Sequence, residues 1–501
     1  MVAGIRRGAL QAAVVAGLLA LWSGGAGRIA LAQAAAEPAV QRTQTALLLS
    51  DFHFDPFHDP GKVRQLVDAP VSEWGEILGA PASANQETAL AGLQRVCQGR
   101  GFDTSYALLQ SSLRAVRAQA SGARFVTVSG DMIAHNFACR FAVLVPGKTP
   151  SEYAGFVEKT MAFVMEQLRG AMPEVPVYAA LGNNDTGCGD YRIDAHGPFL
   201  AAAGKIMLQG LPASVGKEER ARALTDFAAG GYYSVTMAAP MRRTRLIVLN
   251  DVFMSRNYAT CGGNADRSEG AKQLEWLRSE LDAARQQKQR VWVLGHIPPG
   301  VDVYGTVKGL KDVCSGAAPA IFLSSEELGE ILVEHADVVR LGIFAHTHMD
   351  ELRLLGPEGK GSRASAKEMV AVKMVASISP VNGNSPSFTV AQVDPASAQL
   401  MDYSVFIASN KTGIQATWSK EYMYSQTYGE AAFAPPEVAQ LMEDFRRDPD
   451  AKTKRSQAFI RYFVAGDTSS LIKPLWPEYV CALSRVTGKG FSDCACSAAS
   501  R

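Results

Sequence analysis

Beyond its first two dozen residues the sequence has no run approaching the ~20 apolar residues that a membrane-spanning helix needs, so the body of the chain reads as soluble. It has no excess of either charge, with 50 Lys and Arg against 49 Asp and Glu. A protein that binds a nucleic-acid duplex needs a basic face to neutralise phosphates, and that class is not expected here. None of the eight cysteines stands in a CxxC pair matched by a second one, which argues against a zinc ribbon. There is no internal repeat and no long low-complexity tract. Histidine is scarce, with 8 in 501 residues, so the places where it falls carry information.

What is present is an ordinary globular composition, 47% apolar and 20% charged, in a chain long enough for one large domain with an appendage or for two. Arg6 and Arg7 precede an apolar run over 9–22, and the small-residue site Ala32-Gln33-Ala34 follows. That order predicts a signal peptide over 1–34 and a secreted or periplasmic location; the arginine pair also permits a twin-arginine signal. No transmembrane segment is expected in the mature protein. In an oxidising compartment the cysteines are expected as disulfides, with Cys481 joined to Cys494 or Cys496.

Short β-rich apolar runs each end in a polar residue. Residues 45–50 end at Asp51, 124–129 at Gly130-Asp131, and 175–181 at Gly182-Asn183. Residues 245–249 end at Asn250, 290–294 at Gly295-His296, and 338–345 at His346. Helix-like stretches over 105–119, 151–169, 270–287 and 325–335 alternate with them, and the alternation predicts an α/β fold. Strand-like runs at 369–377, 387–393 and 399–406 would complete a sheet. From about residue 412 the pattern turns helix-like, as at 436–447 and 457–464. The expected organisation is a catalytic domain over 44–408 and a helical C-terminal extension over 409–501.

In such folds ligands bind at the carboxyl ends of strands. Asp51-Phe52-His53, Gly130-Asp131, Gly182-Asn183-Asn184-Asp185, Gly295-His296 and His346-Thr347-His348 all stand there, and four of the eight histidines are among them. Carboxylate, amide and imidazole donors in one place suit Zn, Mn or Fe. This ordered set resembles the calcineurin-like metallophosphoesterases, whose pattern runs DxH, GD, GNH, GH and GHxH. Gly295-His296-Ile297-Pro298-Pro299-Gly300, 273–277, His346-Thr347-His348-Met349-Asp350-Glu351 and Trp418-Ser419-Lys420-Glu421-Tyr422 look most like the acid sphingomyelinase and endopolyphosphatase branch. The resemblance implies a four-layer metallophosphoesterase β-sandwich flanked by helices. It also implies two divalent metal ions, zinc first, with manganese or iron as alternatives. Asp51, His53, Asp131 and His348 would hold one ion, and Asp131, Asn183, His296 and His346 the other. Two ions bridged by one carboxylate activate water and neutralise phosphoryl charge. Purple acid phosphatases are similar, but they place a Tyr ligand where this chain has Ala134.

The chain departs from the family where GNH reads Gly182-Asn183-Asn184. The missing His contacts the scissile phosphate in the family and protonates the leaving group. Asn184 is expected to act in catalysis by donating a hydrogen bond that stabilises the charge developing on the phosphate, but it delivers no proton at neutral pH. The change favours anhydrides, or diesters with good leaving groups, in a small nucleotide- or polyphosphate-like substrate. His135, four residues after Asp131, resembles a histidine of sphingomyelinase-type sites and is the first alternative acid; His196 is the second. Asp55, His58 and Asp59 read as loop surface. Ala345 replaces a usual Gly, and Cys261 and Cys314 flank the Gly295-His296 strand as a disulfide pair does in sphingomyelinase-like enzymes. No room remains before residue 44 for a lipid-presenting module, which favours a water-exposed substrate. The readings that compete are a sphingomyelin or phospholipid phosphodiesterase, and a non-catalytic metal-dependent phosphate-binding protein.

Overall fold

The computed structural model describes residues 43–119, 122–357, 364–466 and 472–499; the expected signal peptide lies outside them. Among the described residues twelve strands follow in chain order. They are β1 (Gln44–Leu49), β2 (Ala123–Ser129), β3 (Val177–Ala180), β4 (Tyr233–Thr236), β5 (Thr244–Val248) and β6 (Arg290–Leu294), then β7 (Val339–Phe344), β8 (Glu351–Leu355), β9 (Val370–Met374), β10 (Ser387–Asp394), β11 (Gln399–Ala408) and β12 (Trp418–Met423). They form two six-stranded sheets, in the orders β12-β11-β10-β1-β2-β3 and β4-β5-β6-β7-β9-β8. β1, β2 and β3 run parallel, as do β5, β6, β7 and β9, with antiparallel strands toward the edges.

The parallel strands are almost continuously apolar because both of their faces are covered. Leu47, Val126, Trp292, Leu341 and Ile343, from both sheets, belong to one buried cluster between them. Phe125 of the first sheet meets Trp292 of the second edge-on at 5.5 Å, and the Trp292 indole donates to Ala398 O at 2.7 Å. Helices such as Tyr106–Gln119, Pro150–Ala171 and Ser268–Gln286 bury one apolar face each against the sheets. The chain exits of β1, β2, β3, β6 and β7 meet across the sandwich, where His296 reaches Ser129 O and Asn183, and His53 reaches His348. Asp51 N–H donates to Gly130 O, His53 N–H to Asp131 O, and Ala345 N–H to His296 O.

Three strands escape the sequence pattern. β4 has four residues, β8 carries Glu351 and Arg353 buried as an ion pair, and β12 (WSKEYM) falls where helix was expected. β12 is an edge strand that pairs with β11, and pairing with a formed neighbour overrides a weak local preference. Helices Pro435–Arg446, Lys454–Tyr462, Trp476–Ser484 and Gly488–Ala499 follow it.

All eight cysteines are paired, as Cys97–Cys139, Cys188–Cys261, Cys314–Cys496 and Cys481–Cys494. Of the two partners expected for Cys481, Cys494 is the one bonded to it, while Cys496 joins Cys314, and the Cys261–Cys314 pairing is corrected. The backbone near Cys261 is laced to the segment after β3, with Ala259 N–H donating to Tyr191 O, so Cys188 is its neighbour. Cys314 faces the C-terminal helix instead.

Glu421, on β12, accepts from Gly466 N–H with one oxygen while the other is buried without a partner. Burial, reinforced by the nearby Asp350 carboxylate, pushes its carboxyl from 4.5 up to about 8. A raised carboxyl binds its proton more tightly in the folded chain, so its ionisation costs stability. That cost is absent below pH 4.5, grows between 4.5 and about 8, and is complete above. Glu421→Gln is therefore expected to match the parent in urea unfolding at pH 4.5 and to exceed it by about 2 kcal/mol at pH 8.5, after allowance for partial exposure. A constant difference across that window would refute the assignment.

Candidate metal centre

Gly130 has φ +88°, and a Cβ there would stand 2.6 Å from Gly182 N. A Cβ on Gly182 would fall 2.1 Å from Asp131 Oδ1. Neither position admits a side chain, and this close approach draws the loops after β2 and β3 together. Asp51, His53, Asp131, His346 and His348 all have positive φ. For residues with a Cβ, left-handed conformations cost about 1–3 kcal/mol each and persist only where the surroundings hold them, typically at functional sites.

The seven candidate ligands converge. Asp131 Oδ2 lies 3.4 Å from His53 Nε2 and 3.2 Å from His296 Nε2, between two groups of donors. On one side His53 Nε2 and His348 Nε2 are 3.1 Å apart, and each is within 3.6 Å of Asp51 Oδ1. On the other, His296 Nε2 is 3.0 Å from Asn183 Oδ1 and 3.3 Å from His346 Nδ1. One side-chain nitrogen or oxygen from each of Asp51, His53 and Asp131, and separately from each of Asp131, His296 and His346, lies within 4.8 Å of the others in its group.

His53, His296, Asn183 and His346 are each aimed by a second contact. His53 Nδ1 bonds to Ile133 O at 2.9 Å and His296 Nδ1 to Ser129 O at 2.7 Å, so both rings turn a bare Nε2 inward when neutral. The Asn183 amide donates to Asp190 at 2.7 Å, which leaves its carbonyl oxygen facing His296. His346 Nε2 meets the Tyr191 hydroxyl at 3.3 Å. The His296 backbone N–H donates to Asp251 at 2.7 Å, and Asp185 accepts from Gly182, Met132 and Ile133 N–H groups. Burial holds Asp185 and Asp251 up at about 7.

The donor set fits divalent cations. Both carboxylate oxygens of Asp51 are buried without a hydrogen-bond partner, and a buried anion without partners is costly. The field of the site favours positive charge. Burial opposes protonation of His53 and His296, yet Asp131 and its neighbours outweigh it and hold them at about 9 and about 10. His346 and His348 are pushed down to about 3 by burial, which keeps both rings neutral. Proton and metal compete for the same imidazole nitrogens, and the same carboxylates favour both.

His135 stacks on His53 at 3.9 Å between ring centroids, and its side chain is one-third exposed. Its Nδ1 and backbone N–H both bond to the buried Asp103 at 2.9 Å, which also accepts from Ser379. Asn184 lies differently from the sequence reading. Its backbone N–H and side-chain amide both donate to Asp131, at 2.8 and 2.9 Å, and it is buried, so it clamps that carboxylate. His196 is placed by a backbone hydrogen bond to Ala229 O, and its side chain forms no hydrogen bond or ion pair with the converging set. Asp55 is corrected from loop surface to core: it is 1% exposed and paired with Arg140 at 2.7 Å. Ala345 is fully buried without disturbing the motif. Sequence reasoning missed Asp103, Asp190, Tyr191 and Asp251. Asp251 directly follows the strand-end residue Asn250, a signal available beforehand; the other three sit in loops without periodicity.

Residues 45–350 match the family model described as "Calcineurin-like phosphoesterase". The Mus musculus cyclic GMP-AMP phosphodiesterase SMPDL3A is 25% identical over 403 residues, covering 78% of this chain and 81% of that protein. The human acid sphingomyelinase-like phosphodiesterase 3b is 23% identical over 410 residues, with 78% and 80% covered. Human sphingomyelin phosphodiesterase is 26% identical over 282 residues, 54% of this chain and 40% of that one. Taken with the converging His and Asp donors, these matches show that the chain belongs to the calcineurin-like phosphoesterase family, in its acid sphingomyelinase-like branch, and is a metal-dependent hydrolase of phosphoric esters.

Proposed function

We propose that the chain is an exported hydrolase of small phosphodiesters and phosphoanhydrides, with nucleotide-like or polyphosphate-like substrates favoured. Asp51, His53, Asp131, Asn183, His296, His346 and His348 would hold two divalent ions, zinc first. The observation that carries this reading is the unpartnered Asp51 carboxylate beside the ring nitrogens of His53 and His348, with Asp131 reaching toward both donor groups. When bound, such a pair of ions supplies Lewis-acid neutralisation of the phosphoryl oxygens and lowers the pKa of water.

The chain's own residues do the rest. Asn184 fixes the orientation of Asp131 through two hydrogen bonds. Asp190 and Tyr191 orient Asn183 and His346. His135, with Nδ1 committed to Asp103, presents Nε2 as the group that hands a proton to the leaving oxygen, the task left open where Asn184 replaces the usual His. Four disulfides support an oxidising, extracellular setting. A relative named cyclic GMP-AMP phosphodiesterase supports a nucleotide phosphodiester. The match to sphingomyelin phosphodiesterase keeps a lipid diester as the second reading.

Treating the protein with a chelator is expected to abolish hydrolysis, and zinc or manganese to restore it. The reloaded enzyme is then offered a cyclic dinucleotide, ATP, polyphosphate, an aryl diester and sphingomyelin side by side. The nucleotides should lead sphingomyelin by at least about tenfold in kcat/KM. Sphingomyelin cleaved as fast as nucleotides would replace the first reading with the second.

A further inference from the structure

The mouth of the site beside His346 carries groups that holding a metal does not require. The Tyr191 hydroxyl, 3.3 Å from His346 Nε2, also meets the Asn257 side chain, and the Arg256 guanidinium lies close enough to act on it electrostatically. Arg256 and Asn257 are exposed. One guanidinium nitrogen of Arg256, Nη2, bonds to Asp302 at 2.8 Å, while among the described residues Nε and Nη1 have no acceptor. The guanidinium is thus anchored at one corner with donors left over.

The two loops that bring these residues together are cross-linked. Cys188–Cys261 joins them covalently, Ala259 N–H donates to Tyr191 O at 3.1 Å, and Ile193 N–H donates to Ala259 O at 3.2 Å. Tyr191 itself is held by its N–H to Asn183 O at 2.9 Å, so the Tyr–Asn–Arg group is built onto a candidate ligand loop. The surrounding site is rich in carboxylates, with Asp51, Asp131, Asp190 and Asp251, and Arg140 is buried against Asp55. A planar guanidinium with spare donors beside two hydrogen-bonding side chains suits a phosphate oxyanion.

We propose that Arg256, Tyr191 and Asn257 form an anion subsite next to the metal centre that grips a second phosphate of the substrate, beyond the one being cleaved. The inference rests on the reading of the centre as a phosphohydrolase site. It narrows the substrate class to compounds with two neighbouring phosphates, in an anhydride or in a nucleotide bearing another phosphate.

The test uses the full-length, metal-loaded protein hydrolysing an aryl diester, which has one phosphate. Two competitive inhibitors are compared with metal in excess: methylenediphosphonate, which carries two anionic groups and resists hydrolysis, and inorganic phosphate. Arg256→Ala should raise the inhibition constant for methylenediphosphonate about 10- to 100-fold, the scale of one lost charge-assisted hydrogen bond. It should move that for phosphate by less than about threefold, and Arg256→Lys should recover only part of the loss because it keeps charge but not the fork. Tyr191→Phe should shift the diphosphonate in the same direction. Equal changes for both inhibitors, or none, would overturn the subsite while leaving the phosphohydrolase reading in place. A parent protein with no metal-dependent diester hydrolysis would instead overturn that reading, and the subsite with it.

Discussion

Asp131→Asn is expected to abolish turnover while leaving the fold intact. Asp131 Oδ2 stands 3.4 Å from His53 Nε2 and 3.2 Å from His296 Nε2, the one carboxylate oxygen shared by both donor groups. The amide keeps the shape but removes the negative charge that would balance two divalent ions. Lewis-acid stabilisation of phosphoryl charge amounts to several kcal/mol, and about 4 kcal/mol corresponds to ~10³-fold in rate. The checks are kcat on an aryl diester, bound metal by elemental analysis, and far-UV circular dichroism. Metal content should fall with activity while the spectrum stays unchanged. Near-parental kcat with two equivalents of metal bound would show that Asp131 does not bridge.

His135→Ala should separate substrates by leaving group. Its ring stacks on His53, and Asp103 fixes one nitrogen and leaves the other free to serve the substrate. Burial opposes ionisation of Asp103, but His135 with its neighbours His53 and Arg140 keeps the carboxyl well below the usual range, so it stays an anionic partner. General-acid help is worth roughly 10²–10⁴-fold where the leaving group is a poor one and little where it is a weak base. The variant should therefore lose on the order of 10²-fold or more on a dialkyl or nucleoside diester, and less than about fivefold on a nitrophenyl diester. Asp103→Asn, which retains His135 but weakens its orientation, should show the same pattern at about a tenth of the effect. A uniform loss across all leaving groups would mean that His135 supports the metal centre and does not protonate the product.

The converging donors were legible from sequence because a parallel α/β fold presents its chemistry at strand ends. Each of Asp51, His53, Asp131, Asn183, His296, His346 and His348 follows an apolar run that is itself easy to read. The groups that aim them were not legible. Asp103 lies 32 residues from His135, and Tyr191 lies 155 from His346, with no periodic pattern marking either. The edge strands β4, β8 and β12 were missed for a related reason. Their residues become strands by pairing with a neighbour already in place, not by their own preference.

Asn184 shows the boundary most clearly. Its chemistry follows from its identity alone: an amide donates hydrogen bonds and carries no transferable proton at neutral pH. Its direction does not. The approach of Gly182 to Asp131 turns the amide onto the carboxylate, an arrangement no local pattern encodes. The same division runs through the disulfides. The even cysteine count suited full pairing, but Cys188–Cys261 and Cys314–Cys496 span 73 and 182 residues, distances closed only by the packed loops. By itself the sequence determined the α/β order, the donor types and their places at the strand ends, because those depend on short-range polarity and periodicity. Only the tertiary structure decided which way each donor points and which loop stands beside it. Those depend on contacts between segments far apart in the chain, and the glycine approaches and buried carboxylates that set them take effect only when the two sheets close on one another.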